Sequence, residues 1–272
     1  MHQPLFEAPV YYFGSHETGV TEVHETMNCG RSALASLELN RQGFTLSRHR
    51  SSVSDWDDLD EINRIHRPEI RTLAKTIAHC DEVVVYPALA RSTARGLEEP
   101  DHAPIQFVHS DFSEDYRAMV RNPARPYRAF LEPLLEESGL SYRDLNQASR
   151  LQVLQFWRNT GPINADFPLA LADASKVSSN RLHREMIQEY AGDHLEFETL
   201  FIKPPPTQTQ NDDWFVFSDL TQEEVIVFRT YDSFAEEEGG AFWTPHCAVQ
   251  NPHPDAKPRS SVEMRALCVW KP

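Results

Sequence analysis

The chain has 272 residues, 40% of them hydrophobic, and a formal net charge of −15 from 26 Lys and Arg against 41 Asp and Glu, so one sizeable core and one domain over residues 1–272 are expected. Its cations are scattered instead of forming a stripe that neutralises successive phosphates, which argues against nucleic acid as a partner. Met1 to Glu7 lacks the basic start and apolar run of a secretory signal, and no segment nears the roughly 18 apolar residues that cross a bilayer, so a cytoplasmic protein without a membrane partner is expected.

In chain order, Tyr11, Tyr12 and Phe13 form an aromatic run that suits either a core or a pocket wall. Ile62, Ile65, Ile70, Leu73, Ala74 and Ile77 recur at roughly helical spacing and predict an amphipathic helix over 60–78. Val83-Val84-Val85-Tyr86 is a β-branched strand that Pro87 limits. Pro104 to His109 reads as a strand running into Ser110-Asp111-Phe112-Ser113, and Ser113-Glu114-Asp115-Tyr116 has the composition of a helix start. A helix near 128–138 ends by Gly139.

Everything after Leu151 is strand-like, over 151–157, 167–171, 186–190, 195–202, 214–217, 224–230, 241–249 and 261–270. Pro204-Pro205-Pro206 and the polar residues to Asn211 read as an exposed loop. Short strands in this number predict a barrel or sandwich, with a mixed helical N-terminal part, about 1–103, packed on a β-rich part, about 104–272. Only ten glycines serve the chain, without a persuasive GxGxxG or GxxxxGKS/T loop, so nucleotide folds lose their support. Cys29, Cys80, Cys247 and Cys268 are far apart and form no CxxC pair, which predicts reduced, partly buried thiols.

An oxygen-activating iron centre needs ligands on one face of the metal, and two imidazoles with one carboxylate leave the other face open. The usual trace is His-x-Asp followed by a distant His. In His109-Ser110-Asp111 the alternation of a strand end puts both ligand side chains on one side, and His246 supplies a third from a later strand. Two of the other His-x-Asp/Glu triplets compete less well: His79-Cys80-Asp81 ends the predicted helix, where a His suits the dipole, and His194-Leu195-Glu196 resembles a turn entering a strand. After His246 a turn-rich loop leads to Arg259-Ser260-Ser261, the arrangement that holds the far carboxylate of 2-oxoglutarate with a guanidinium and a hydroxyl. Arg265 shares that strand face and is the second candidate for the clamp, unless it pairs with Glu263 or another acid.

These residues, with Phe156-Trp157-Arg158, Gly161-Pro162, Pro168 to Asp173, Tyr231-Asp232-Ser233, Thr244-Pro245-His246 and Pro258 to Leu267, resemble the family of the aspergillic-acid hydroxylase/desaturase. That family includes the fungal gibberellin GA4 desaturase and the small subunit associated with cephalosporin 7α-methoxylation; the resemblance covers roughly residues 105–270. It implies a mainly β fold with flanking helices, a double-stranded β-helix of jelly-roll, cupin-like form. It also implies hydroxylation or desaturation of a small-molecule secondary metabolite with Fe(II), 2-oxoglutarate and O2. Phe112 and Ser113 stand where the family carries Tyr and Thr. Trp157, Arg158 and Tyr231 are the candidates for touching substrate, against structural roles for each. A homo-oligomer or a pathway-enzyme partner stays open. Two readings compete: an iron oxygenase with the same triad but no 2-oxoglutarate, and a metal-free β-barrel binding protein.

Overall fold

The computed structural model describes residues 2–14, 19–188, 195–207 and 211–272. Its strands are β1 (Pro4–Phe13), β2 (Val20–Cys29), β3 (Phe44–Arg48), β4 (Glu82–Val85), β5 (Leu89–Ser92), β6 (His109–Ser110), β7 (Arg150–Asn159), β8 (Leu169–Ala172), β9 (Leu182–Ile187), β10 (Phe197–Ile202), β11 (Trp214–Val216), β12 (Glu224–Asp232), β13 (His246–Ala248) and β14 (Ser260–Trp270). The α-helices are α1 (Gly30–Ala33), α2 (Leu59–Ala78), α3 (Asp115–Arg121), α4 (Arg128–Glu137), α5 (Tyr142–Gln147) and α6 (Ser233–Glu237). No helix among the described residues is long and apolar enough to cross a membrane.

Two sheets face each other, in the order β1-β2-β11-β8-β13-β6-β10-β9 and β3-β12-β7-β14-β4, with β5 also paired to β14. This is the expected jelly-roll, mainly β with helices outside. Alternation along β14 explains its layers. Val262, Met264, Ala266 and Cys268 point outward into a cluster with Ile62, Ile70 and Ala74 of α2, while Leu267 and Val269 point inward to the core between the sheets. The inward positions nearer the start of β14 are Ser261, Glu263 and Arg265, so the same strand is apolar at one end and charged at the other.

The predicted helix and the later strands stand close to where the sequence puts them. α2 buries Ile62, His66, Ile70 and Ala74, and Asp58 caps it by accepting from the Asp60 and Glu61 amides at 2.9 and 3.1 Å. The N-terminal part departs from expectation: its described residues hold five strands and one long helix. β1 is a sheet edge, which tolerates Pro4 and Pro9 because their missing donors face outward. Glu25 on β2 is buried because Tyr12 donates its hydroxyl to it at 2.9 Å, so the strand hides a polar residue where a hydrophobic one is looked for. Of Pro104 to His109, only His109 belongs to a regular strand; Phe107 makes one isolated bridge to Tyr11. Residues 203–207 run outside regular structure after β10, and Gln208 to Gln210, like Glu189 and Tyr190 of the predicted 186–190 strand, lie outside the described residues. All four cysteines are free and buried.

Candidate metal centre

β6 lies between β13 and β10 and pairs His109 directly opposite His246. The two imidazoles therefore project side by side, with ring centroids 4.3 Å apart. Asp111 follows His109 by one strand period and returns its carboxylate to the same side: Oδ1 lies 3.8 Å from His109 Nε2 and 3.9 Å from His246 Nε2. One ligand atom from each residue lies within 4.8 Å of the others. Small side-chain rotations close such a spread onto one ion with bonds of roughly 2 Å.

The protonation of both rings follows from their partners. His109 Nδ1 is 2.9 Å from the Phe107 carbonyl and His246 Nδ1 is 2.9 Å from the Thr244 carbonyl. A carbonyl oxygen only accepts, so each Nδ1 carries the hydrogen and each Nε2 presents a lone pair towards Asp111. Burial, with His246 alongside, pushes His109 down to about 3, and burial likewise lowers His246. Both rings are neutral ligands at neutral pH. Phe228 backs His246 with ring centroids 4.7 Å apart.

Asp111 is held from behind by Arg265, whose Nε donates to Oδ2 at 2.9 Å and whose Nη2 donates to Oδ1 at 3.1 Å. Burial pushes this carboxylate up, but Arg265 and the imidazoles override it and hold Asp111 well below the usual range. A carboxylate has about four lone-pair sites, so two remain for an ion. Arg265 is thus committed to Asp111, the paired alternative anticipated for it.

Arg259 differs. It is buried, donates from Nε to Ser261 Oγ at 3.0 Å and from Nη1 to the Phe167 carbonyl at 3.1 Å, and lies 4.9 Å from the centroid of the Trp157 ring. Among the described residues no carboxylate reaches its guanidinium within ion-pair distance, and burial, only partly offset by the more distant Glu263 and Asp166, pulls the guanidinium down to about 9. A buried cation without a counter-charge is unfavourable unless an anion joins it. The neighbouring Glu263 pairs instead with Arg91 at 3.2 Å and accepts from Gln155 at 3.1 Å. The cavity lined by all these groups has three guanidiniums, Arg91, Arg259 and Arg265, against two carboxylates, Asp111 and Glu263. Its surplus of positive charge favours an anionic occupant. Free space there is about 20 Å³, room for one water, so a larger anion enters only as side chains rotate aside.

Other anticipated residues are divided by strand alternation. Trp157 faces inward to this cavity, whereas Arg158, one residue on, faces outward. Arg158 spends its guanidinium on the carbonyls of His49 and Gln222 and on His49 Nδ1, and stacks over Trp56, so it lies on the opposite side of the sheet from the triad. Tyr231 is a core residue: its ring meets Tyr116 and Phe242, and its hydroxyl donates to Glu236 at 2.5 Å. It lines none of the cavities beside the triad. Tyr12 is likewise core, while Phe13 stacks on His183. His79 is the left-handed C-cap of α2, and His194 lies outside the described residues. Ser113 donates to Glu198 at 2.6 Å, and Phe112 packs on Tyr116 and Phe197.

Sequence reasoning missed Arg91 and Gln155, and named Glu263 only as a possible partner of Arg265. Glu263 had a signal, since it continues the alternation from Arg259 through Ser261 to Arg265; Arg91 and Gln155 had none. It also missed Gly43. At φ +92° this residue needs glycine, and a Cβ there would collide with Thr244 Oγ1, which donates to the Gly43 carbonyl at 3.1 Å. Thr244 in turn supplies the carbonyl that orients His246.

Comparison with known proteins agrees with this geometry. A family model described as "Oxidoreductase/YMDC permease-like domain" matches residues 5–269. An alpha-ketoglutarate-dependent dioxygenase, phiK of Fungal sp., is 25% identical over 253 residues, covering 90% of this chain and 84% of the relative. The gibberellin cluster GA4 desaturase of Gibberella fujikuroi is 23% identical over 301 residues, covering 88% of this chain and 85% of the relative. Among solved structures, the iron and alpha-ketoglutarate-dependent endoperoxidase NvfI superposes with a TM-score of 0.75 at 21% identity, covering 98% of each chain. At that identity the likeness carries the fold.

Proposed function

The chain belongs to this oxidoreductase/YMDC permease-like domain family, and on that premise we propose that it is an Fe(II)/2-oxoglutarate-dependent oxygenase that hydroxylates or desaturates a small-molecule secondary metabolite. One observation carries the reading: two neutral imidazoles and a carboxylate converge beside a buried arginine whose guanidinium, among the described residues, has no carboxylate within ion-pair distance. The names of the full-length relatives point the same way.

His109, Asp111 and His246 would hold the iron. With oxygen and 2-oxoglutarate, bound iron supplies an oxidant able to remove hydrogen from an unactivated C–H bond. The chain's own residues do the rest. The Phe107 and Thr244 carbonyls fix the imidazole tautomers, and Arg265 fixes the Asp111 carboxylate. Arg259 and Ser261 bind the far carboxylate of the cosubstrate, and the Trp157 ring shields that ion pair from water.

Anaerobic titration of the apo-protein with Fe(II) and 2-oxoglutarate tests this through the weak visible charge-transfer band of a chelated 2-oxo acid. The expected result is a band at one iron per chain, lost in Asp111→Ala and weakened in Arg259→Ala. Iron binding without the band would instead identify an oxygenase that draws its electrons from the substrate. Absence of iron binding would leave a metal-free binding protein.

A further inference from the structure

Two further cavities open beside Asp111, and Arg259 lines neither. One, of about 150 Å³, is walled by Tyr86, Phe112, Tyr127, Phe130 and Leu195; the other, of about 260 Å³, by Ile105, Phe107, Ile187 and Phe201. Asp111, Arg265 and Phe197 line both, so the two are lobes on either side of Phe197 that meet at the candidate metal centre.

Apart from the candidate ligand atoms of His109 and Asp111, the main polar groups in these walls are engaged within the protein. Arg265 and Asp111 neutralise each other through two hydrogen bonds, and Thr199 Oγ1 donates to the Ser110 carbonyl at 3.0 Å. Tyr86 and Tyr116 hydroxyls share a hydrogen bond of 2.6 Å, and His109 gives its Nδ1 hydrogen to Phe107. A charged group brought into either lobe would lose its water and, among the described residues that line the lobes, meet only the mutually paired Asp111 and Arg265 and the neutral His109. The dicarboxylate side has the opposite character, with its surplus guanidinium.

From this contrast we propose that the substrate is an uncharged, largely hydrocarbon molecule with two bulky arms, one seated in each lobe, and that the bond to be oxidised lies where the lobes meet at Asp111. The inference rests on the oxygenase reading for the identity of the occupant, and on the cavities alone for its chemistry. Phe197 is the residue that sets specificity, because it forms the wall between the arms. An arm-sized apolar group fits either lobe; an ionised acid or amine fits neither.

The test uses the full chain and a matched pair of fluorescent probes, N-phenyl-1-naphthylamine and 8-anilinonaphthalene-1-sulfonate, which differ by one sulfonate. The uncharged probe is expected to bind with blue-shifted emission, and the anionic one at least ten-fold more weakly. Phe197→Asp should weaken the uncharged probe by more than ten-fold. Leu89→Asp and Ile187→Asp, at the part-exposed edges of the two lobes, should each weaken it as well, and these keep the test open if Phe197→Asp fails to fold. Equal binding of the two probes, or binding of the uncharged probe untouched by all folded variants, overturns the proposal. Loss of the Fe(II)/2-oxoglutarate band in the unaltered chain, with probe binding as described, instead overturns the oxygenase reading and leaves an apolar binding site.

Discussion

Arg265→Met isolates the electrostatic support of the candidate metal centre. Met keeps much of the side-chain length and removes the charge, so Asp111, which is 5% exposed, loses the guanidinium that donates to both its oxygens. Leaving one member of a buried pair without its partner costs about 3–5 kcal/mol. For a chain of this size that is on the order of 10 °C in melting temperature. The loss should depend on pH. Asp111 is held below its unfolded value in the native protein, so its contribution is present above about pH 4 and is lost as pH falls further. In the variant, burial makes the carboxylate easier to protonate, and the gap to the unaltered protein closes in acid. Fe(II) should close it too, because a bound dication supplies the missing counter-charge. Urea unfolding of both proteins, with and without saturating Fe(II) under anaerobic conditions, measures this. An apo-variant within about 0.5 kcal/mol of the unaltered protein, or a gap that widens with Fe(II), would refute the electrostatic role given to Arg265.

Gly43→Ala should lower Fe(II) affinity although Gly43 is no ligand, because the added Cβ displaces Thr244 and with it the carbonyl that orients His246; isothermal titration of Fe(II) reads the loss. Trp157→Leu should raise the dissociation constant for 2-oxoglutarate by a few-fold to about thirty-fold while leaving Fe(II) affinity alone, the range of a cation–π contact worth about 0.5–2 kcal/mol at Arg259. Burial, aided by Arg158, lowers His66 to about 4, so the unfolded chain takes up its proton first and stability falls as pH drops from about 6.5 towards 4. Relative to His66→Gln, the unaltered protein should therefore lose about 2 kcal/mol between pH 7 and pH 5 in urea titrations, and equal slopes would contradict the assignment. Asp212→Ala strands the buried Arg181, which donates to both Asp212 oxygens at 2.6 and 2.7 Å, and should cost about 3–5 kcal/mol in the same assay.

What the sequence disclosed and what it concealed divide along one physical line. Period-two alternation is local, so a strand such as β14 announces both its existence and the shared face of Arg259, Ser261 and Arg265 before any fold is known. The convergence of His109 and Asp111 is equally local, two residues apart at a strand end. Partners are not local. That Arg265 meets Asp111, 154 positions away, depends on how two sheets face each other, and so does the pairing of Glu263 with Arg91 across 172 positions. The same limit explains why two of the candidates lie apart from the triad. Arg158 adjoins Trp157 in sequence, but adjacency in a strand means opposite faces, and its outward face meets His49 and Trp56 rather than the triad. Tyr231 follows an irregularity in the pairing of β12 with β7, which no periodicity of the strand itself reveals. β1 and β2 escaped notice because prolines at a sheet edge and a glutamate buried by a tyrosine hydroxyl break the apolar alternation that marks a strand. The site is therefore legible as a set of ligand types, while its division into a charged cavity at Arg259 and uncharged lobes at Phe197 follows only from which long-range partner each charge finds.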